Sequence, residues 1–320
     1  MNFENSLILV TGGAGSIGSN LVKRLHQEGA KIIVLDDLSS GSEDNIAGIP
    51  DVQLVRESIT SDDTLSEIFS QPINYVFHLA ASFANQKSIE NPLEDLEANI
   101  IGTLKLLQHS TQLKKLSRFI FTSSSCIYGH SGGMTTEETV PAPDTPYGIS
   151  KLAGENYVRF FYNYYNFPAV ILRYFNCYGP GEYPGKYRNV IPNFLKLAIE
   201  GQPLLITGTG EESRIFTYVS DVVDGTVRAA STEIAIGEYI NITSANEIRI
   251  KDLAEKINAV TGNKAEAKVI ERRDWDSVAR RFASHGKAKK LLGYNPVVSL
   301  DEGLNYTYTW LLELKKQGKL

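Results

Sequence analysis

Val10-Thr11-Gly12-Gly13-Ala14-Gly15-Ser16-Ile17-Gly18 is the stretch on which the fold turns. It follows the apolar run Leu7-Ile8-Leu9-Val10 and leads into a helix-like segment over residues 19–28, so its glycines stand where a strand gives way to a helix. Glycines at such a junction permit a tight reversal and let the backbone approach a pyrophosphate, while the free N–H groups of the first helical turn attract the anion. Gly12, Gly15 and Gly18 are spaced G-x-x-G-x-x-G, one residue wider than the commonest dinucleotide fingerprint. A purely structural Gly-rich turn looks the same in isolation. The residues beyond Gly18 decide between the two.

Four more apolar runs succeed it, at residues 31–35, 52–55, 75–79 and 118–121, separated by segments such as 93–112 with apolar residues at helical spacing. Alternating strands and helices predict an α/β fold with a parallel sheet covered on both faces, because parallel neighbours require a crossover. Ligands bind such sheets at the carboxyl ends of the strands. After the second run stand Asp36 and Asp37, then Ser39 and Ser40. An acidic residue there accepts hydrogen bonds from the adenosine ribose and repels a 2′-phosphate, favouring NAD over NADP. Asp36 is the expected ribose ligand, with Asp37 the alternative one position on. After the fourth run, His78-Leu79-Ala80-Ala81-Ser82 offers small side chains past which a flat cofactor fits.

The fifth run leads to Thr122-Ser123-Ser124-Ser125-Cys126-Ile127-Tyr128-Gly129, and Tyr147-Gly148-Ile149-Ser150-Lys151 then opens a helical pattern to residue 166. A tyrosine and a lysine four apart share one helix face. The ammonium is therefore expected to lower the phenol pKa from its usual ~10 and make it a general base for a hydroxyl proton. A serine at the preceding strand end can hold the same substrate oxygen.

The 320 residues are 42% hydrophobic with a net charge of −5, which suits a large core and argues against nonspecific binding to nucleic acid or an acidic membrane. No apolar run approaches the roughly 18 residues of a membrane span. Met1-Asn2-Phe3-Glu4-Asn5 lacks the basic start of a signal peptide, so the cytoplasm is the expected compartment. Cys126 and Cys177 stand far apart and the histidines are scattered, so no metal is expected. Gly129-His130-Ser131-Gly132-Gly133 matches the G-x-S-x-G nucleophile elbow, but that motif needs a helix directly after the serine, and residues 134–146 read as a polar, Pro-rich loop.

Together, residues 11–18, 78–81, 123–129 and 147–151, Arg173-Tyr174-Phe175-Asn176 and residues 208–221 resemble the extended short-chain dehydrogenase/reductases, specifically their nucleotide-sugar epimerases and dehydratases. The resemblance covers nearly the whole chain. It implies a Rossmann-type doubly wound parallel sheet in residues 1–170, with strands added from about 205–245, and a smaller α/β substrate-binding domain mainly in 171–320. It implies NAD held at the pyrophosphate by Gly12, Gly15, Ser16, Ile17 and Gly18, and at the adenosine ribose by Asp36 with Ser39 and Ser40 nearby. Leu79, Ala80, Ala81 and Asn99 would line the phosphate and nicotinamide side. Ser58 precedes Ile59 where relatives often carry an aspartate against adenine.

By the same resemblance Tyr147 is the catalytic base, Lys151 binds the nicotinamide ribose, and Ser124 takes the place of the catalytic Ser/Thr. Asn176, Asn189 and Val190 would meet the nucleotide sugar, and Arg214 its diphosphate. Arg273 with Asp276 would clamp diphosphate and ribose, Arg272 being the alternative arginine; Ile215 stands where many relatives have aspartate. Dehydratases of the group carry Asp-Glu directly after the Ser/Thr, because eliminating water needs an acid and a base; here Ser125 and Cys126 supply neither. The expected activity is 4-epimerisation of a UDP-hexose through a 4-keto intermediate. A 4,6-dehydratase or 4-ketoreductase is the alternative, and a non-catalytic sugar-nucleotide-binding protein stands behind both. Family members commonly dimerise through the helices at 93–112 and 147–166, and Phe160, Phe161, Tyr164 and Tyr165 are compatible with a homodimer.

Overall fold

Each of the five apolar runs forms a strand: β1 (Leu7–Thr11), β2 (Lys31–Leu35), β3 (Val52–Val55), β4 (Tyr75–His78) and β5 (Arg118–Ser124). β6 (Ala169–Tyr174) and β7 (Tyr239–Ile242) complete a seven-stranded parallel sheet in the order β7-β6-β5-β4-β1-β2-β3. This is a Rossmann-like α/β fold, in a computed structural model that describes residues 3–130, 133–273, 276 and 278–320. β1 pairs with β2 on one side and β4 on the other, so connections leave it in opposite directions and open a crevice at its carboxyl end.

Successive residues of one strand feed opposite cores, as the period of two requires. Ile8 and Val10 pack with Leu21, Val22 and Leu25 of α1 (Ser16–Gln27). Leu9 packs on the other face with Leu65 and Ile68 of α2 (Asp62–Phe69) and Leu106 and Leu107 of α3 (Thr103–Ser110). The helical pattern at 93–112 is one continuous run from Pro92 to Ser110 that changes character in its middle. Pro92–Leu96 is followed by a π-helical stretch, Glu97–Gly102, before α3 begins. α4 (Pro146–Tyr165) covers the same face through Val158 and Phe161.

The second half of the chain divides its helices between two places. α5 (Val190–Ile199), α7 (Ile250–Thr261) and α9 (Leu300–Lys316) build a separate core from Phe194, Leu195, Leu253, Ile257, Leu304 and Leu311. α6 (Val219–Ser231) and α8 (Gly286–Leu292) instead join the first core, through Val222, Val223, Val227 and Ala288. Small sheets frame the α5 layer: Leu205–Thr207 runs parallel to Lys268–Ile270, and Ser213–Ile215 lies between antiparallel Glu247–Arg249 and parallel Arg280–Arg281. No helix among the described residues is long and apolar enough to cross a membrane. Ser131 and Gly132 of the elbow-like motif lie outside the described residues.

Candidate active site

The strand-to-helix junction leaves no room for a side chain at Gly12 or Gly18. Gly12 adopts φ +69°, and a Cβ there would lie 2.6 Å from the Ala80 nitrogen; a Cβ on Gly18 would lie 2.1 Å from the Gly12 carbonyl oxygen. α1 starts after Gly15 with no side-chain cap. Among the described residues the N–H groups of Ser16, Ile17 and Gly18 have no protein acceptor. Those donors, at the positive end of the helix dipole, suit a pyrophosphate.

Asp36 follows β2 and accepts from the Ala14 N–H through Oδ2 and the Leu38 N–H through Oδ1, each at 2.9 Å. Burial pushes its carboxyl pKa up, against those two hydrogen bonds. Asp37 turns to its own loop and accepts from Ser39 N and Oγ. The glycine cradle, uncapped helix and acidic strand end together fit a dinucleotide.

A cavity of about 1000 Å³ begins here and passes Ser39, Ser40, Ser58, Ile59, Leu79, Ala80 and Ala81 to reach Ser124, Tyr147 and Lys151. It continues to Asn176, Asn189, Val190, Arg214, Arg273 and Asp276, with Arg272 also on its wall. Asn99 does not border it. Its Nδ2 donates to Asp95 Oδ1 at 2.9 Å and Ser150 Oγ at 3.0 Å, and its Oδ1 accepts from the Ser82 N–H at 2.8 Å. With its amide committed in this way, Asn99 fastens the loop after β4 to α4 instead of lining the cofactor's path.

Thr145 starts α4, its Oγ1 accepting from the Gly148 N–H at 3.2 Å, and Pro146 occupies the first turn. This places Tyr147 and Lys151 one turn apart on the buried face, 6% and 3% exposed. The Ser124 hydroxyl, which favours the ionised form of the Tyr147 phenol, accepts from the Cys126 N–H at 3.2 Å. Lys151 Nζ donates to the Thr122 carbonyl at 3.0 Å and stands 5.9 Å from the Tyr147 ring centroid. Burial holds the phenol well above its ordinary pKa, the Ser124 hydroxyl opposing it, and pulls the lysine down to about 8. The lowered phenol expected from the tyrosine–lysine spacing is thus reversed in this arrangement: desolvation outweighs a cation whose direct bond goes to Thr122.

At the far end, Asn176 (φ +32°) donates through Nδ2 to the Ile215 carbonyl at 2.8 Å, while the Ile215 side chain is buried. Arg214 Nη2 meets Asp276 Oδ1 at 3.3 Å, and Arg272 Nε donates to the Asp276 carbonyl at 2.7 Å. The 179–189 loop runs from this end back toward the start of the cavity beside Asp36. Lys186 Nζ and Tyr187 Oη both donate to Glu90 Oε2, at 3.0 and 2.6 Å, and Arg188 donates to the Ser40 carbonyl.

Among the cavity residues that escaped the sequence reading, Glu182 and Arg281 stand out. Glu182 accepts from Asn189 Nδ2 at 2.9 Å through Oε1, its Oε2 is buried without a partner, and burial pushes its carboxyl up to about 7. Its signal was being the one acid in the Gly- and Pro-rich run from Gly179 to Arg188. Arg281 also lines the cavity. Strand alternation across Arg280-Arg281 was the available clue, since it sends adjacent arginines to opposite faces.

The sequence profile of the NAD dependent epimerase/dehydratase family matches residues 8–243. The chain belongs to this family. Its cofactor is NAD, in keeping with the cradle at Gly12–Gly18. An epimerase of Methanothermobacter thermautotrophicus is similar to this epimerase/dehydratase with a TM-score of 0.96 at 44% identity, over 98% of this chain and 94% of the other. The UDP-glucose 4-epimerase of Thermotoga maritima, in its structure with UDP-glucose, gives 0.93 at 35% identity, over 97% and 99%. The UDP-N-acetyl-alpha-D-glucosaminuronate decarboxylase of Bacillus cytotoxicus is 32% identical over 325 residues, 96% of this chain and 98% of its own. The family thus spans several reactions at similar distance from this chain.

Proposed function

We propose that this family member is a 4-epimerase of UDP-hexoses that works through a transient 4-keto sugar. The observation that carries the reading is the wall around Tyr147: Ser124 and Lys151 stand beside it, while the next two residues, Ser125 and Cys126, are buried and offer no acid–base pair for eliminating water. Tyr147 takes the proton of the sugar 4-hydroxyl, and Ser124, fixed by the Cys126 N–H, holds the same oxygen. NAD, when bound, would supply the hydride acceptor and donor for C4 and a positive charge that, with Lys151, would bring the phenol's raised pKa down so that it can act as a base. Lys151 keeps a cation on the same wall without moving a proton itself. Asn189 before α5, Arg214 of the small sheets, and Arg273 and Asp276 in the connection between Lys268–Ile270 and Arg280–Arg281 anchor the nucleotide while the keto sugar turns over.

Exposed aromatics on α4 (Phe160 at 51% and Tyr164 at 70%), with Leu93 exposed on the Pro92–Leu96 helix, support a homodimer through these elements, while Phe161 packs into the core instead, and the cytoplasm remains the expected compartment. Incubation with UDP-sugars and no added cofactor separates the reactions: an epimer supports the reading, whereas a keto-deoxy sugar, a pentose, or dependence on supplied NAD(P)H refutes it. Tyr147→Phe should lower turnover by at least about 100-fold while bound NAD is retained; substantial epimerisation by that variant would defeat the mechanism.

A further inference from the structure

Arg280-Arg281 pairs in parallel with Ser213-Arg214, which sets Arg281 directly opposite Arg214 in the register. Neighbours in register project to one face, and both arginines line the cavity. Arg280 points the other way and closes a two-pronged bond on Glu247, at 2.7 Å through Nε and 2.7 Å through Nη2. The strand is pinned just beyond: the Thr135 N–H donates to the Phe282 carbonyl at 3.0 Å, and the Ser284 N–H to the Thr135 carbonyl at 2.9 Å. Arg281 is therefore held at a fixed place, between the reaction centre and the diphosphate end.

Its surroundings leave its charge uncompensated. Arg214 has Asp276 and Arg280 has Glu247, but Arg281 has no carboxylate partner among the described residues. Its Nη1 reaches the Cys126 sulfur at 3.5 Å, a weak acceptor, and its Nε is buried in the wall with no acceptor. A guanidinium held beside another and without an anion is costly. With Nη1 on Cys126 and Nε buried, Nη2 is the donor left to meet an anion in the cavity, and a guanidinium bond to a carboxylate is among the strong charge-assisted ones.

We infer that the hexose of the substrate carries a carboxylate, and that Arg281 binds it from the wall between Cys126 and Arg214. The inference rests on the epimerase reading and narrows it to UDP-uronic acids. A neutral hexose offers Arg281 no anion from the ring, whereas a carboxylate on the ring meets it in the cavity that Ser124 and Tyr147 also line.

The test compares kcat/KM for UDP-glucuronate and UDP-glucose, in the NAD-bound enzyme and in Arg281→Met. The wild type should prefer the uronate, and the substitution should lower the uronate-to-glucose ratio on the order of 10- to 100-fold, mainly through KM. Equal or better use of UDP-glucose by the wild type would overturn the inference while leaving 4-epimerisation standing. So would an Arg281→Met variant that loses both substrates alike, which would place Arg281 on the diphosphate. Release of a UDP-pentose from the uronate would refute epimerisation yet support the carboxylate contact. If Arg281→Met fails to fold, the wild-type preference alone decides.

Discussion

Glu155 sits on α4 one turn beyond Lys151 and forms with Arg173 of β6 a buried pair, bonded at 2.9 and 2.7 Å with side-chain exposures of 1% and 4%. Replacing Glu155 by glutamine leaves the guanidinium inside with its counter-charge removed. Breaking such a pair from one side costs about 3–5 kcal/mol. Arg173 keeps the Tyr128 hydroxyl as an acceptor at 2.7 Å, and that hydroxyl donates on to Asn241 Oδ1 at 2.9 Å, so the loss should fall near the lower end, about 3 kcal/mol. That is about two powers of ten in the folding equilibrium. The assay is urea unfolding at fixed NAD, because bound cofactor itself adds to apparent stability. Glu155→Met combined with Arg173→Met removes both charges and should be less damaging than Glu155→Gln alone. The reasoning fails if Glu155→Gln unfolds within about 1 kcal/mol of the wild type with an unchanged m-value, or if the double variant is the worse of the two.

Three further outcomes are expected of the site and of the helices behind it. Lys151 holds its proton only to about pH 8, so kcat/KM should decline above that pH, and a profile flat into the ordinary lysine range near ~10 would show that its charge is not needed. Stability should move oppositely: between the depressed folded pKa and the unfolded value the unfolded chain binds the extra proton, so this lysine's contribution to stability increases as pH rises through that window. For the proposed dimer, light scattering should give twice the mass of one chain, and Tyr164→Glu should shift it to a single chain; a wild type that is monomeric throughout would remove the proposal.

The legible parts of the molecule were those whose cause is local. β1, β2, β4 and β5 are buried on both faces, so they read as continuous apolar runs, and the glycine spacing at 12, 15 and 18 records a close approach within one turn. Ser124, Tyr147 and Lys151 were readable because strand end and helix start fix them, and they do converge on one cavity. What was not legible depends on sums over distant neighbours. The direction of the Tyr147 pKa is set by burial among elements far apart in sequence, not by the lysine four residues on. Asn99 turns from the cavity because Ser82, Asp95 and Ser150 surround it. Arg281 gains its meaning only from the register with Arg214, which no periodicity reveals. The π-helical turn at Glu97–Gly102 left no mark in the apolar spacing either.

β7 comes from Tyr239–Ile242, yet it closes the outer edge of the sheet whose other end holds β3. During synthesis, β6 must therefore wait, its edge open, until α5 and α6 have been made. An N-terminal fragment ending after β6 would expose a row of unpaired backbone groups, the kind of edge that recruits other chains. Anyone exchanging the sugar-recognition half between relatives should leave residues 219–242 and 286–294 with the cofactor half. The chain is interleaved rather than divided, and its useful seams lie at 175, 218, 243, 285 and 295 instead of at one boundary.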